Sequence, residues 1–170
     1  MTSVPAPVPV PVPAAASRVE MTQLLMPGHA NAHGTAFGGT IMQWTDLAAG
    51  MAAMRHARLP VVTASVDQLT FLSPVRIGQI AILRAQVNAV FHSSMEVGVE
   101  VLTEDPRTGE RRRCCDAFLT FVALGADGRP VPAGPLVVAS EEERVRQREA
   151  GVRRAARLAL RDQLAAHREG

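Results

Sequence analysis

The sequence contains no lysine and no tyrosine, and aromatic residues make up only 4% of it. Each gap removes a class of chemistry. Without lysine there is no Schiff-base nucleophile and no P-loop ammonium. With so few aromatic rings the chain is a poor platform for stacking nucleic-acid bases. Cysteine is nearly absent. Cys114 and Cys115 are neighbours in sequence, a pair that rarely bridges, and on a regular strand they would point to opposite faces. Neither a disulfide framework nor a zinc-ligand spacing results, so no metal is expected, and the cytoplasm is the expected compartment. No basic stretch followed by an apolar core opens the chain, so a secretory leader is not expected. The longest weakly polar run, Phe37 to Met54, holds Gln43 and Asp46 and suits a bilayer badly, so no membrane span is expected.

What is present fits one ordinary domain. The chain has 170 residues, of which 47% are apolar, enough for a substantial core built from Val, Ala, Leu, Ile and Met. All 18 basic residues are arginine, and the formal net charge is only +2. Arginine keeps bidentate contact with phosphate available. Basic residues alternate with acidic ones toward the C-terminus, however, which describes a solvated helix and not a nucleic-acid reader.

The chain divides into three parts. From Pro5 to Pro13 proline alternates with Val or Ala, which predicts an extended polyproline arm over residues 1–17. A folded domain is expected over 18–132. It comprises a strand from Arg18, a Gly- and His-rich loop over Pro27–Gly39, and a helix over Thr40–Ala57. Four β-rich segments follow, Val61–Leu72, Gln79–Phe91, Met95–Glu104 and Arg112–Leu124, joined by short turns such as Asp105–Gly109. Residues 133–170 read as a linker and a charged helix, with Ser140 and Glu143 forming a capping box. Val145, Val152, Leu158, Leu160 and Leu164 give that helix a partial apolar face. The order predicts an α+β fold, in which an antiparallel sheet of about five strands wraps around one long helix.

The central helix is apolar on nearly every side, which predicts burial all round. In its middle stands Asp46, the only formally charged residue between Glu20 and Arg55. Burying a carboxylate is costly unless it is paired or used. The residues alone leave two readings open, a satisfied core anchor and a reacting group. Gly38-Gly39 supplies bare backbone N–H groups at the helix start, where developing negative charge is favoured. Asn31, His29 and His33 stand in the preceding loop.

Met26-Pro27, Asn31-Ala32-His33-Gly34, Phe37-Gly38-Gly39, Met42 and Asp46 together resemble the hotdog-fold acyl-CoA thioesterases of the YciA and brain-type acyl-CoA hydrolase kind. The resemblance continues through Phe71-Leu72-Ser73-Pro74, Ile77-Gly78, Ser93-Ser94 and Thr120-Phe121-Val122-Ala123. It implies a hydrolase that splits acyl-CoA into a carboxylate and coenzyme A without a further cofactor. Asp46 would be general base or nucleophile. Asn31 would face it from a partner protomer, and the Gly39 N–H would polarise the carbonyl. Gly38, Ser93 and Ser94 would contact substrate. A homodimer with a continuous sheet, assembled as a trimer of dimers, is implied as well. Two other functions share the fold: a dehydratase of hydroxyacyl thioesters, pairing His33 with Asp46, and an acyl-CoA-binding regulator without turnover. Retention of both Asn31 and Asp46 favours the hydrolase. The arm and the C-terminal helix fall outside the resemblance.

Overall fold

The computed structural model describes residues 10–168. Its organising element is α1, Gly38–Ala57. Ile41, Trp44, Thr45, Ala48, Ala49, Ala52, Ala53 and His56 are its buried residues. They recur every three or four positions, so they form one helical face. Four alanines on that face let the sheet approach closely. The helix stops at Arg58, which adopts the left-handed conformation (φ 54) and donates its N–H to the Met54 carbonyl at 2.9 Å.

Five antiparallel strands curl around this face: β2 (Val19–Leu24), β3 (Val61–Phe71), β4 (Ile80–Phe91), β5 (Ser94–Glu104) and β6 (Arg111–Ala123). Their spatial order is β2-β4-β5-β6-β3, which leaves β2 and β3 as edges. The expected fold class, a five-stranded antiparallel sheet on a long helix with a second helix after it, is therefore present. Residues of β4 are buried almost continuously. The cause is that both faces of the strand are covered, one by α1 and the other by α2 (Glu141–Ala166).

Four expectations need correction. First, α1 is not buried all round within one chain. Its second apolar face is open, with Met42, Leu47 and Met54 each about half exposed, and Asp46 is exposed on the same side. Within one chain the sheet covers only the first of these two faces.

Second, the chain folds before Arg18. Residues 1–9 of the expected arm lie outside the described residues, but Val12–Pro13 form a strand, β1, pairing in parallel with β7 (Leu136–Val137). A 3-10 turn follows over Ala14–Ser17, with Ala14 and Ser17 buried. The Ser17 hydroxyl donates to the Ala14 carbonyl at 2.7 Å and accepts the Val87 N–H at 3.0 Å. Small side chains here fit against α1 and β4, a contact that proline content alone does not reveal. The segment after residue 132 likewise takes part in the fold through β7.

Third, α2 is not simply solvated: it packs on the sheet, although most of its larger apolar residues stay outside the contact. Val152, Leu160 and Leu164 are exposed, whereas Glu143 and Ala150 are buried. Arg153 grips the buried Glu96 carboxylate at 2.8 Å and stacks over the Phe118 ring. The capping box is present as expected, and Glu143 does double duty: besides capping the helix it accepts from Arg18 at 3.1 Å.

Fourth, Cys114 and Cys115 are both buried in the core. Val101 pairs with Cys115 and Leu102 with Arg113, so Cys114 is a bulged residue and strict alternation fails there. Both thiols are free, and burial pushes them up to about 11 and about 12. They are inert at neutral pH.

Candidate active site

The open face of α1 carries the candidate catalytic carboxylate. Asp46 projects from it beside edge strand β3, and the Thr63 hydroxyl donates to its carboxylate at 2.7 Å. Nothing in the sequence marks Thr63, because a threonine in a β-rich segment is an ordinary strand former. Its signal is visible only once the register of β3 brings it opposite the helix.

The N-terminus of α1 is the second component. Thr40 and Ile41 donate to the Phe37 carbonyl, while the amides of Gly38 and Gly39 donate to no protein acceptor among the described residues. These amides lie at the positive end of the helix dipole. Glycine at position 39 has a local reason as well. A Cβ there would come 2.5 Å from the Phe37 ring, so any side chain would displace that ring. Beside Gly38 opens an apolar cleft of about 360 Å³, walled by Phe71, Leu72, Pro74 and Val75, with Ile41 and Cys114 also lining it.

That cleft meets a second, polar one across Ser73 and Pro74. The polar cleft holds about 680 Å³ and is lined by Arg76, Arg107 and Arg112 among others. Arg107 pairs with Asp105 and Arg112 with Glu110, whereas Arg76 forms no ion pair among the described residues. Arg111 and Arg113 are engaged too, with Glu104 and Asp116. Of the basic residues near the cleft, Arg76 is the one with charge to spare. It was not singled out in the sequence.

The structure places the remaining candidates unequally. Asn31 is used within its own loop: its Oδ1 accepts the N–H groups of His33 at 2.9 Å and Thr35 at 3.3 Å, and its Nδ2 contacts the Thr35 hydroxyl at 3.1 Å. No hydrogen bond joins it to Asp46 within one chain. His29 packs edge-on against Trp44 at 5.1 Å and accepts the Met26 N–H, a structural role. His33 likewise makes no hydrogen bond to Asp46 within one chain. Ser93 and Ser94 are not brought to Gly38 within one chain. Phe71, beside Gly38, pairs with Cys115, whereas Ser94 pairs with Val122 at the other end of β6, roughly 23 Å away at about 3.3 Å per residue.

Residues 33–110 match the family model of the thioesterase superfamily. An uncharacterized acyl-CoA thioester hydrolase of Bacillus subtilis (strain 168) is 42% identical over 82% of this chain and 80% of its own length. The acetyl-coenzyme A thioesterase of Mus musculus is 38% identical over 85% of this chain, but the match spans only about a quarter of that relative's length, 26%. Among solved structures, the acyl-CoA hydrolase of Staphylococcus aureus in complex with butyryl coenzyme A, coenzyme A and coenzyme A disulfide superposes with a TM-score of 0.86. It is 32% identical and covers 93% of this chain and 96% of its own. A hexameric acyl-CoA thioesterase superposes equally well, at 0.86, with 35% identity over 88% of this chain and 96% of its own. Structures of the S. aureus hydrolase with alanine in place of an asparagine, an aspartate or a threonine are also similar. Those three positions are spaced along that chain as Asn31, Asp46 and Thr63 are here. The chain belongs to the acyl-CoA thioester hydrolases of the thioesterase superfamily.

Proposed function

We propose that this protein hydrolyses acyl-CoA thioesters to a carboxylate and coenzyme A, at a site shared between two copies of the chain. The observation that carries this reading is the Thr63-oriented Asp46 carboxylate on an apolar helix face that one chain leaves open. Met42, Leu47 and Met54 of α1 form an exposed apolar surface, and edge strand β3 carries the exposed Val66 and Phe71. A second copy covering it hides that surface and pairs the free edge. It also brings the partner's Asn31 loop to the carboxylate that its own chain leaves unreached. The hexameric relative supports a further assembly of three such dimers.

In this reading Asp46 takes a proton from water as the oxygen attacks the thioester carbonyl. The Gly39 N–H, with that of Gly38 beside it, holds the developing oxyanion. Collapse breaks the C–S bond, and the proton passes from Asp46 to the departing thiolate. Direct attack by the carboxylate, giving an anhydride that water then opens, uses the same residues. The apolar cleft beside Gly38 receives the acyl chain, and the polar cleft with Arg76 lies toward the phosphates of the nucleotide. Water is the only co-reactant that either route requires. No helix of the described residues is long and apolar enough to cross a membrane. Two free thiols suit a reducing compartment, and the cytoplasm is the location this reading carries.

The test is free-thiol release from a panel of acyl-CoAs, with coenzyme A binding and thermal midpoint followed on the same preparation. Asp46→Asn keeps the shape of the side chain and removes the base. It is expected to abolish turnover while binding and folding persist. Near-normal thiol release by that variant would overturn the assignment.

A further inference from the structure

Strand β3 changes phase twice. It pairs with β6 as Thr63 to Phe121 and then Ser65 to Thr120, which leaves Ala64 unpaired. It does so again between Val66 to Leu119 and Gln68 to Phe118, which leaves Asp67 unpaired. In a regular strand Thr63, Ser65 and Asp67 would share one face. The first bulge turns the following residues over. Thr63 therefore reaches Asp46 on α1, while Ser65 and Asp67 point through the other face of the sheet toward α2. The second bulge restores the phase, and Leu69 packs against the core again.

A bulge interrupts the ladder, so its shape depends on what else holds it. Here Asp67 is the hub. Its carboxylate accepts the Ser65 hydroxyl at 2.5 Å, the Thr120 hydroxyl at 2.9 Å and the Arg157 guanidinium of α2, which also bonds Thr120. The Asp67 side chain is only 6% exposed. Burial alone would raise its carboxyl, but hydrogen bonds from Arg157, Ser65 and Thr120 outweigh that and hold it below the ordinary range. Leaving a buried carboxylate without its dedicated counter-ion is costly, and here that counter-ion comes from α2.

We propose that Arg157, acting through Asp67 and Ser65, is a positioning residue that fixes the Ala64 bulge and so aims the Thr63 hydroxyl at Asp46. The C-terminal helix thereby becomes part of the catalytic apparatus without touching substrate. This rests on the assignment of Asp46 and Thr63 to the hydrolysis. Without Arg157 the segment is free to slide toward regular pairing, which carries the Thr63 hydroxyl away from the carboxylate.

The experiment compares R157Q, R157K and D67N with R161Q in the full-length protein. Arg161 sits on the same helix and, among the described residues, pairs only with its exposed neighbour Asp162. Misplacement of a catalytic pair by a fraction of an ångström is expected to lower kcat by about tenfold or more in R157Q and D67N, with KM within about twofold. R157K, which keeps a cation, should recover part of the loss. The decisive readout is the combination T63A/R157Q. If Arg157 works through Thr63, this double variant is no slower than T63A alone, whereas independent structural damage multiplies the two losses. A folded R157Q with the kcat of R161Q overturns the proposal, and so do multiplying losses. Should R157Q fail to fold, D67N is paired with T63A and decides by the same comparison. D46N run alongside keeps the two readings apart: turnover in D46N removes the catalytic pair itself, while an inactive D46N beside an unaffected R157Q removes only the brace.

Discussion

The Asp46 carboxylate and the Thr63 hydroxyl meet at 2.7 Å across the boundary between α1 and the edge strand β3. Neither element could supply this geometry alone. The helix fixes the carboxylate on a rigid rod, and the Ala64 bulge directs the threonine toward it. Thr63→Val keeps the volume and the β-branching but removes the donor. It is expected to lower kcat about ten- to a hundredfold with KM little changed, because an oriented base matters at the transition state. Steady-state kinetics on one good acyl-CoA substrate checks this. A rise in KM alone would make Thr63 a binding contact.

The N-terminal segment separates into two parts with different consequences. Removing residues 1–9 is expected to leave thermal midpoint and turnover unchanged. Removing residues 1–17 takes Ser17 away and leaves the Val87 N–H, buried in the centre of the fold, without its partner at 3.0 Å. An unpaired buried donor costs about 1–3 kcal/mol, and the β1–β7 pairing is lost in addition. A fall of several degrees in thermal midpoint for the longer deletion only is the expected result. Equal midpoints for the two truncations would show that the Ala14–Ser17 turn contributes nothing.

These two cases show what the sequence could and could not disclose. The strands and α1 were legible because their period is local: β-branched runs bounded by Gly and Pro, and small apolar residues at helical spacing. Asp46 stood out because it is the lone charge in an apolar stretch. Thr63 and Arg157 did not, since their importance depends on register and on which face of a sheet a bulge presents, and both are long-range properties. The burial of Asp46 was misjudged for a related reason. An apolar helix declares that all its sides are to be covered, but not whether the cover comes from the same chain. The α2 interface reversed the ordinary expectation altogether, as arginines, not leucines, meet the sheet, and hydropathy patterns cannot anticipate buried ion pairs.

Acid should release α2 before it unfolds the core. Burial favours a raised Asp67, but its bonds to Arg157, Ser65 and Thr120 prevail and lower it. Glu143 is lowered chiefly by the Ala139 N–H, with Ser140, Arg18 and Gln86 assisting against burial. A carboxyl lowered by folding contributes stability that is complete above its unfolded value, about pH 4, and disappears as pH falls through its folded value. His56 acts over a separate range. Its lowered value, due to burial and partly offset by the Gly134 carbonyl, withdraws stability as pH falls below about 6.5. Comparing wild type with Asp67→Asn isolates the carboxylate. The gap between their thermal midpoints is expected to be constant from pH 7 to pH 5 and to close below about pH 4. A gap that narrows between pH 7 and pH 6 instead would assign the dependence to another group.

Arg76 gives the sharpest test of how substrate lies in the two clefts. It lines the polar cleft that joins the apolar one at Ser73 and Pro74, and no carboxylate neutralises it among the described residues. Arg107 and Arg112 in the same cleft are already paired, so an arriving phosphate must compete for them. A guanidinium free of such competition can bind a phosphate bidentately. Arg76→Gln is therefore expected to raise KM for acyl-CoA about five- to tenfold, a loss of about 1–1.4 kcal/mol, with kcat nearly unchanged. The contact is electrostatic and partly exposed, so the difference between wild type and variant should shrink in high salt. An acyl thioester of pantetheine, which lacks the phosphates, supplies the control. Wild type and Arg76→Gln should turn it over alike. If the variant loses as much on the pantetheine thioester as on acyl-CoA, Arg76 serves the loop that carries it and not the nucleotide, and the coenzyme must leave the acyl cleft by another route.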